Sequence, residues 1–139
     1  MLDLKMFRAD PKATEEGTWA KYLGAEFLIA KYNNDAATQL RSLLSIEKYD
    51  VLSRGDDASV KAQEEINARV MSETVLLDWK NAGFDGKEVK YTKEIGYKIF
   101  IDPAMRDFAQ FVENYALNRT NYQTANEIAA LNEVKPLSA

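Results

Sequence analysis

Leu2, Leu4 and Met6 alternate with Asp3 and Lys5, a period of two that predicts a strand over residues 2–7. The stretch Asp10-Pro11-Lys12-Ala13-Thr14-Glu15-Glu16-Gly17 is polar and reads as a loop. From Thr18 to Tyr32 the pattern predicts a β-hairpin. Trp19, Lys21 and Leu23 fall on one face of its first strand, with Ala20 and Tyr22 on the other. Leu23-Gly24-Ala25 makes the turn, since glycine reaches positive φ without penalty. The second strand, Glu26 to Tyr32, is apolar on both faces in its middle, the pattern of a central strand in a small antiparallel sheet.

After Asn33 the period changes. Asn34 or Asp35 is placed to cap a helix over about 35–52, with Ala37, Leu40, Leu43, Leu44 and Val51 at helical spacing and Glu47 breaking the stripe. Ser53-Arg54-Gly55-Asp56-Asp57 is a polar break. A second helix is predicted from about Ser59 to Lys80, its buried stripe formed by Ile66, Val70, Met71, Thr74, Val75 and Leu77 and its Lys61–Glu65 stretch solvated. Gly83 ends it, Asp85-Gly86 forms a tight turn, and residues 88–91 are extended. Thr92 then caps a short helix reaching Ile101. Asp102-Pro103 opens a last helix as N-cap and first helical residue, running to about residue 132. Phe108, Phe111, Val112, Tyr115 and Tyr122 make an apolar, mostly aromatic stripe along it.

These elements give an α+β fold: a small N-terminal antiparallel sheet, hairpin 18–32 plus strand 2–7, followed by about four helices. One domain over 1–139 is expected, with a β-rich part at 1–33, a helical part at 34–132 and a frayed tail at 133–139.

Composition narrows the chemistry. With 46% apolar residues the chain can build a real core. Its 18 basic residues are outnumbered by 22 acidic ones, with no basic block, so direct nucleic-acid binding is disfavoured. The absence of cysteine excludes disulfides and thiolate chemistry, and the absence of histidine removes the commonest general base and metal ligand. No signal peptide is visible at the N-terminus, and no apolar run approaches the ~20 residues of a membrane span. Asn118-Arg119-Thr120 matches a glycosylation sequon, read as chance without an export signal.

The acidic pairs Glu15-Glu16, Asp56-Asp57 and Glu64-Glu65 are neighbours in sequence, whereas paired-carboxylate catalysis brings its acids together from distant segments across a cleft. Gly55-Asp56-Asp57 and Asp85-Gly86 lack the alternating oxygen ligands of a calcium loop, and no phosphate-cradling glycine motif occurs. A Ser–Lys pair stays open to the chain, though nothing points to one. The reading from residues is therefore no enzyme, no catalytic residue, no metal site and no cofactor. It is a binding or assembly module whose aromatic stripe is either core or a groove for a partner helix.

Two ordered series of segments carry a resemblance. The first is Glu15-Glu16-Gly17-Thr18-Trp19-Ala20-Lys21-Tyr22 followed by Gly24 to Asn34. The second is Val75-Leu76-Leu77-Asp78-Trp79-Lys80, then Asp85 to Thr92, then Asp102-Pro103 and Arg106-Asp107-Phe108 leading to Phe111-Val112. Together they resemble the tail assembly chaperones of long-tailed bacteriophages over most of residues 1–125; Ser53–Glu65 and the part after Tyr122 do not match.

The resemblance implies a protein that binds the helical tape measure protein and keeps it soluble until the tail tube polymerises, when tube protein displaces it. It also implies action in the host cytoplasm, absence from the finished virion, no membrane contact, and self-association into a homo-oligomer. Phe108, Phe111, Val112, Tyr115 and Tyr122 are then the expected partner-binding residues, and Trp19, Tyr22, Phe27 and Ile29 the expected self-association residues. Two alternatives stand beside it: a tail terminator or connector that remains in the virion, and an acidic accessory protein that inhibits a host factor. Lys80, Lys87, Lys90, Lys93 and Lys98 interrupt the acidic surface the last would need.

Overall fold

The computed structural model describes residues 1–124. Leu4–Phe7 form a 3-10 turn rather than the predicted strand, with the Asp3 carboxylate accepting from the Lys5 amide. The alternation at 2–6 finds no strand to pair with among the described residues, and none of the turn's residues is buried. This N-terminal segment instead lies against the end of the described chain. Gln123 Nε2 donates to the carbonyls of Met6 (2.7 Å) and Arg8 (3.2 Å), and the Asp10 amide donates to the Tyr122 carbonyl (2.7 Å). The predicted loop that follows contains a short helix, α1 (Pro11–Glu16): Asp10 caps it and Pro11 stands at its first position, where no amide donor is missed.

The hairpin forms as β1 (Thr18–Tyr22) and β2 (Ala25–Ile29), in the register Tyr22 opposite Ala25 through Thr18 opposite Ile29. Its turn is the two-residue Leu23-Gly24, both at positive φ, the conformation whose twist matches the strands. β2 is the central strand, as its two-sided apolar pattern predicts. The strand on its other side is β3 (Leu76–Lys80), where the sequence pattern predicts helix, and it pairs antiparallel with β2.

The physical reason lies at the end of the preceding helix. Asn34 caps α2 (Asp35–Glu47), which passes through Lys48 into the short α3 (Tyr49–Leu52). After the polar break, Asp56 and Ser59 form a reciprocal capping box on α4 (Asp57–Val70). At Met71–Val75 the chain widens into one π-helical turn, with the Leu76 amide reaching back to the Met71 carbonyl. Carbonyls at a helix end lose their intrahelical donors and need others. Here the fold supplies them from outside. Asn34 Nδ2 donates to Thr74 (2.9 Å), the Tyr91 hydroxyl to Ser72, and the Ala30 amide to Val75 (2.8 Å). The last of these is the first rung between β2 and the chain entering β3. Helical spacing continues past Val75 in sequence, but the central strand takes those residues.

β4 (Gly83–Phe84) and β5 (Lys87–Glu88) make a minimal hairpin around Asp85-Gly86, both at positive φ, as predicted. Thr92 caps α5 (Lys93–Ile101). Asp102 and Pro103 open a 3-10 turn (Pro103–Met105) that leads into α6 (Arg106–Leu117). The predicted single helix stops there. Asn118 turns extended and caps a 3-10 turn (Arg119–Tyr122), while Asn121 Nδ2 takes the Tyr115 carbonyl at 2.9 Å. The rest of that helix, to residue 132, and the tail at 133–139 lie outside the described residues.

The architecture is α+β. One core lies between the inner face of the sheet (Ala20, Phe27, Ile29, Leu76, Trp79) and α5 and α6, which contribute Ile99, Val112 and Ala116. A second cluster, Ala37, Leu44, Ile66 and Val70, joins α2 to α4. Each large side chain buried this way contributes about 1.5–3 kcal/mol of transfer free energy.

Candidate interaction surfaces

α6 is strongly amphipathic, and its aromatic stripe turns onto the sheet. Phe111 stacks on Tyr22 at 4.5 Å between ring centroids and meets Phe27 edge-on at 5.7 Å. Phe108 packs between Phe27 (5.4 Å) and Phe100 (6.2 Å). The Tyr115 hydroxyl is 2.7 Å from the Thr18 hydroxyl, and its ring meets Tyr122 edge-on. Tyr122 is fully buried and donates to the Ile29 carbonyl at 3.0 Å; Val112 is fully buried in the core that contains Ile29.

The residues expected to bind a partner and those expected to mediate self-association therefore pack largely against one another. Phe27 meets Phe108 and Phe111, Tyr22 meets Phe111, and Ile29 meets Tyr122. Val112, Tyr122, Phe27 and Ile29 offer no surface to another molecule in this structure. Phe108, Phe111 and Tyr115 stay half-buried, and Trp19 and Tyr22 are exposed. Trp19 lies on the outer sheet face with the Lys80 ammonium 4.2 Å from its ring centre. Beside α6 a shallow hollow is lined by the amides of Gln110, Asn114, Asn118 and Asn121, the Asp107 carboxylate and the edges of Phe111 and Tyr115.

A run of solvent-facing apolar side chains lies elsewhere. Leu43 (54% exposed), Ile46 (74%) and Tyr49 (68%) follow one another at three-residue intervals along α2 and α3. Helical spacing predicts Leu43 in the core stripe of this helix. The structure assigns that role to Ala37 and Leu44, with Leu40 half-buried, and turns Leu43 outward. The available signal was Ile46, which is one turn from Leu43 and out of phase with the buried positions. Leu23, 89% exposed at positive φ, is another exposed apolar side chain, at the hairpin tip.

The acidic pairs serve local structure or face solvent. Glu15 Oε1 accepts from the Asp35 amide at 2.7 Å. Asp56 accepts the Ser59 amide, which holds its carboxyl below the usual range. Asp57, Glu64 and Glu65 border an open hollow with Val60, Lys61 and Ile101. Burial pushes the phenols of Tyr91 and Tyr122 well above their ordinary value, and both donate to buried carbonyls. Among the described residues no group of three or more acids is placed to hold a metal ion, and no helix is long and apolar enough to cross a membrane.

No curated protein and no solved structure matches the chain. Residues 29–132 match the family model described as YdaY prophage protein. That match takes in well over half of the chain, from the end of the central strand through α2 to α6, and the chain belongs to this family of phage-derived proteins.

Proposed function

We propose that this prophage protein is a tail assembly chaperone. It binds the helical tape measure protein in the host cytoplasm, keeps that protein soluble until tail tube polymerisation, and leaves before the virion is complete. Family membership supports the phage context, and the ordered series of segments described above supports the chaperone role. The observation that carries the binding mode is the exposed apolar run Leu43–Ile46–Tyr49 on α2 and α3. A long helical protein presents apolar stripes that aggregate unless covered, and a rigid apolar ridge is the complementary shape. The aromatic stripe of α6 serves this role only through the half-buried edges of Phe108, Phe111 and Tyr115, since the rest of it holds the sheet.

The test is co-expression with the tape measure protein of the same prophage, followed by size-exclusion chromatography with light scattering. A soluble complex is expected, with the tape measure protein insoluble when expressed alone. Replacing Leu43 and Ile46 together by Glu removes two side chains worth about 1.5 kcal/mol or more each on burial, so binding weakens roughly hundredfold. A tape measure protein that is soluble alone and elutes separately refutes the reading, and undiminished binding by the double variant refutes the binding mode. Finding the chain by mass spectrometry in purified virions would favour a terminator or connector instead.

A further inference from the structure

β1 is an edge of the three-stranded sheet, and the register fixes where its peptide groups point. In a two-residue hairpin the closing pair, here Tyr22 and Ala25, is hydrogen-bonded, and bonding alternates from there. Tyr22, Ala20 and Thr18 therefore turn their peptide groups towards β2, while Trp19 and Lys21 turn theirs outward. The opposite side of β2 agrees, because the Ala30 amide, of the other parity, bonds the Val75 carbonyl on the β3 side. The outward groups of Trp19 and Lys21 find no partner among the described residues. The edge at β3 is treated differently: the outward amide of Trp79 is closed by the Asp78 carboxylate at 2.8 Å, and a bulge interrupts the ladder. The N-terminal segment, the other candidate to cover β1, is pinned to Tyr122 and Gln123.

We infer that two copies of this chain pair antiparallel through β1, with Ala20 opposite Ala20 on a two-fold axis, joining two three-stranded sheets into one. The strand Thr18-Trp19-Ala20-Lys21-Tyr22 is complementary to itself in this register. Trp19 faces Lys21 of the second copy, twice, as hydrogen-bonded pairs that use all the outward groups. Each such pair sets an ammonium beside an indole on the outer face. The central non-hydrogen-bonded pair, with Cα atoms about 4.5 Å apart, is the two alanines, where side chains are smallest, and Thr18 opposite Tyr22 flanks it on either side. Sliding two residues one way puts Lys21 against Lys21, like charges directly opposite. Sliding the other way runs the pairing into Gly17, whose φ of +84 leaves the strand. The helices do not obstruct the joint. α6 packs over β2 and reaches β1 through Phe111 on Tyr22 and Tyr115 on Thr18, so at about 4.8 Å per strand the two copies of α6 stand about 10–14 Å apart, no closer than the 8–10 Å of packed helices. The inference is independent of the tape measure protein.

Light scattering on the full chain alone tests it. The expected mass is twice the 15.8 kDa of one chain. Lys21→Pro removes an outward amide and no rung of the β1–β2 ladder, so it should give the single-chain mass with an unchanged circular dichroism spectrum. The chain has no cysteine, so introduced ones report on register. Ala20→Cys should cross-link into a disulfide dimer on oxidation, whereas Lys21→Cys, with its two copies diagonal and about 8 Å apart, should not. A single-chain mass for the unmodified protein at high concentration overturns the pairing, as does equal cross-linking of the two cysteine variants. If Lys21→Pro fails to fold, the cysteine variants decide alone.

Discussion

Asn34 offers the sharpest test of how this chain is held together. Its side chain is buried and makes three bonds. Oδ1 accepts from the Ala37 amide (2.9 Å) as the cap of α2, and Nδ2 donates to the carbonyls of Lys31 (2.7 Å) and Thr74 (2.9 Å). Lys31 keeps a second donor without it, the Asn34 amide, whereas the Thr74 carbonyl at the π-helical turn loses the donor that reaches it from α2. In Asn34→Ala the lost cap costs about 1 kcal/mol and the stranded carbonyl about 1–3 kcal/mol, giving a loss of about 2–4 kcal/mol. That is a large part of a stability of about 5–15 kcal/mol, but the variant still folds. Asn34→Asp separates the two roles. Asp caps as well as Asn, so a residue that only capped would tolerate it. Here the carboxylate faces two carbonyls with no proton to donate, and a loss of at least about 2 kcal/mol is expected at neutral pH. The buried carboxyl is pushed above its unfolded value of about 3.9, so this penalty is present at neutral pH and recedes as pH falls towards 4 and the acid regains a donor. Urea titration followed by tryptophan fluorescence reads both variants, with midpoints lowered on the order of 1–2 M. Asn34→Asp as stable as the parent would refute the claim that this clamp ends α4 and starts β3.

Gly96 sits inside α5, where alanine ordinarily gains about 1 kcal/mol, yet a Cβ there would overlap the Tyr91 hydroxyl and stand 3.0 Å from Ser72 Cβ. Gly96→Ala should therefore destabilise by about 1–3 kcal/mol in the same titration, and combining it with Tyr91→Phe should cost less than the sum of the two single changes. The raised phenols of Tyr91 and Tyr122 set the alkaline limit. Their contribution is complete below the unfolded value of about 10 and is lost as pH rises above it, where the unfolded chain ionises first. Unfolding midpoints measured on either side of pH 10 should fall accordingly, and Tyr122→Phe should show a shallower fall.

Much of this protein was legible in the residues themselves. The hairpin, the central position of its second strand, the Asn34 and Thr92 caps, the Asp85-Gly86 turn and the Asp102-Pro103 restart all follow from interactions within a few residues, which sequence records directly. Three features depended on distant partners. Leu76–Lys80 carries a spacing compatible with helix, and becomes strand because β2 offers a ladder and Asn34, Tyr91 and Ala30 take the carbonyls that would have continued the helix. The alternation at 2–6 lacks a neighbouring strand among the described residues, and the segment is bonded to Tyr122 and Gln123 instead. The site reading met the same boundary. Periodicity identified the apolar stripe of α6 but not what would cover it. Only the tertiary structure decided that the sheet does, because packing those rings on Phe27 and Tyr22 takes their apolar surface out of water within the chain itself, while Leu43, Ile46 and Tyr49 face solvent.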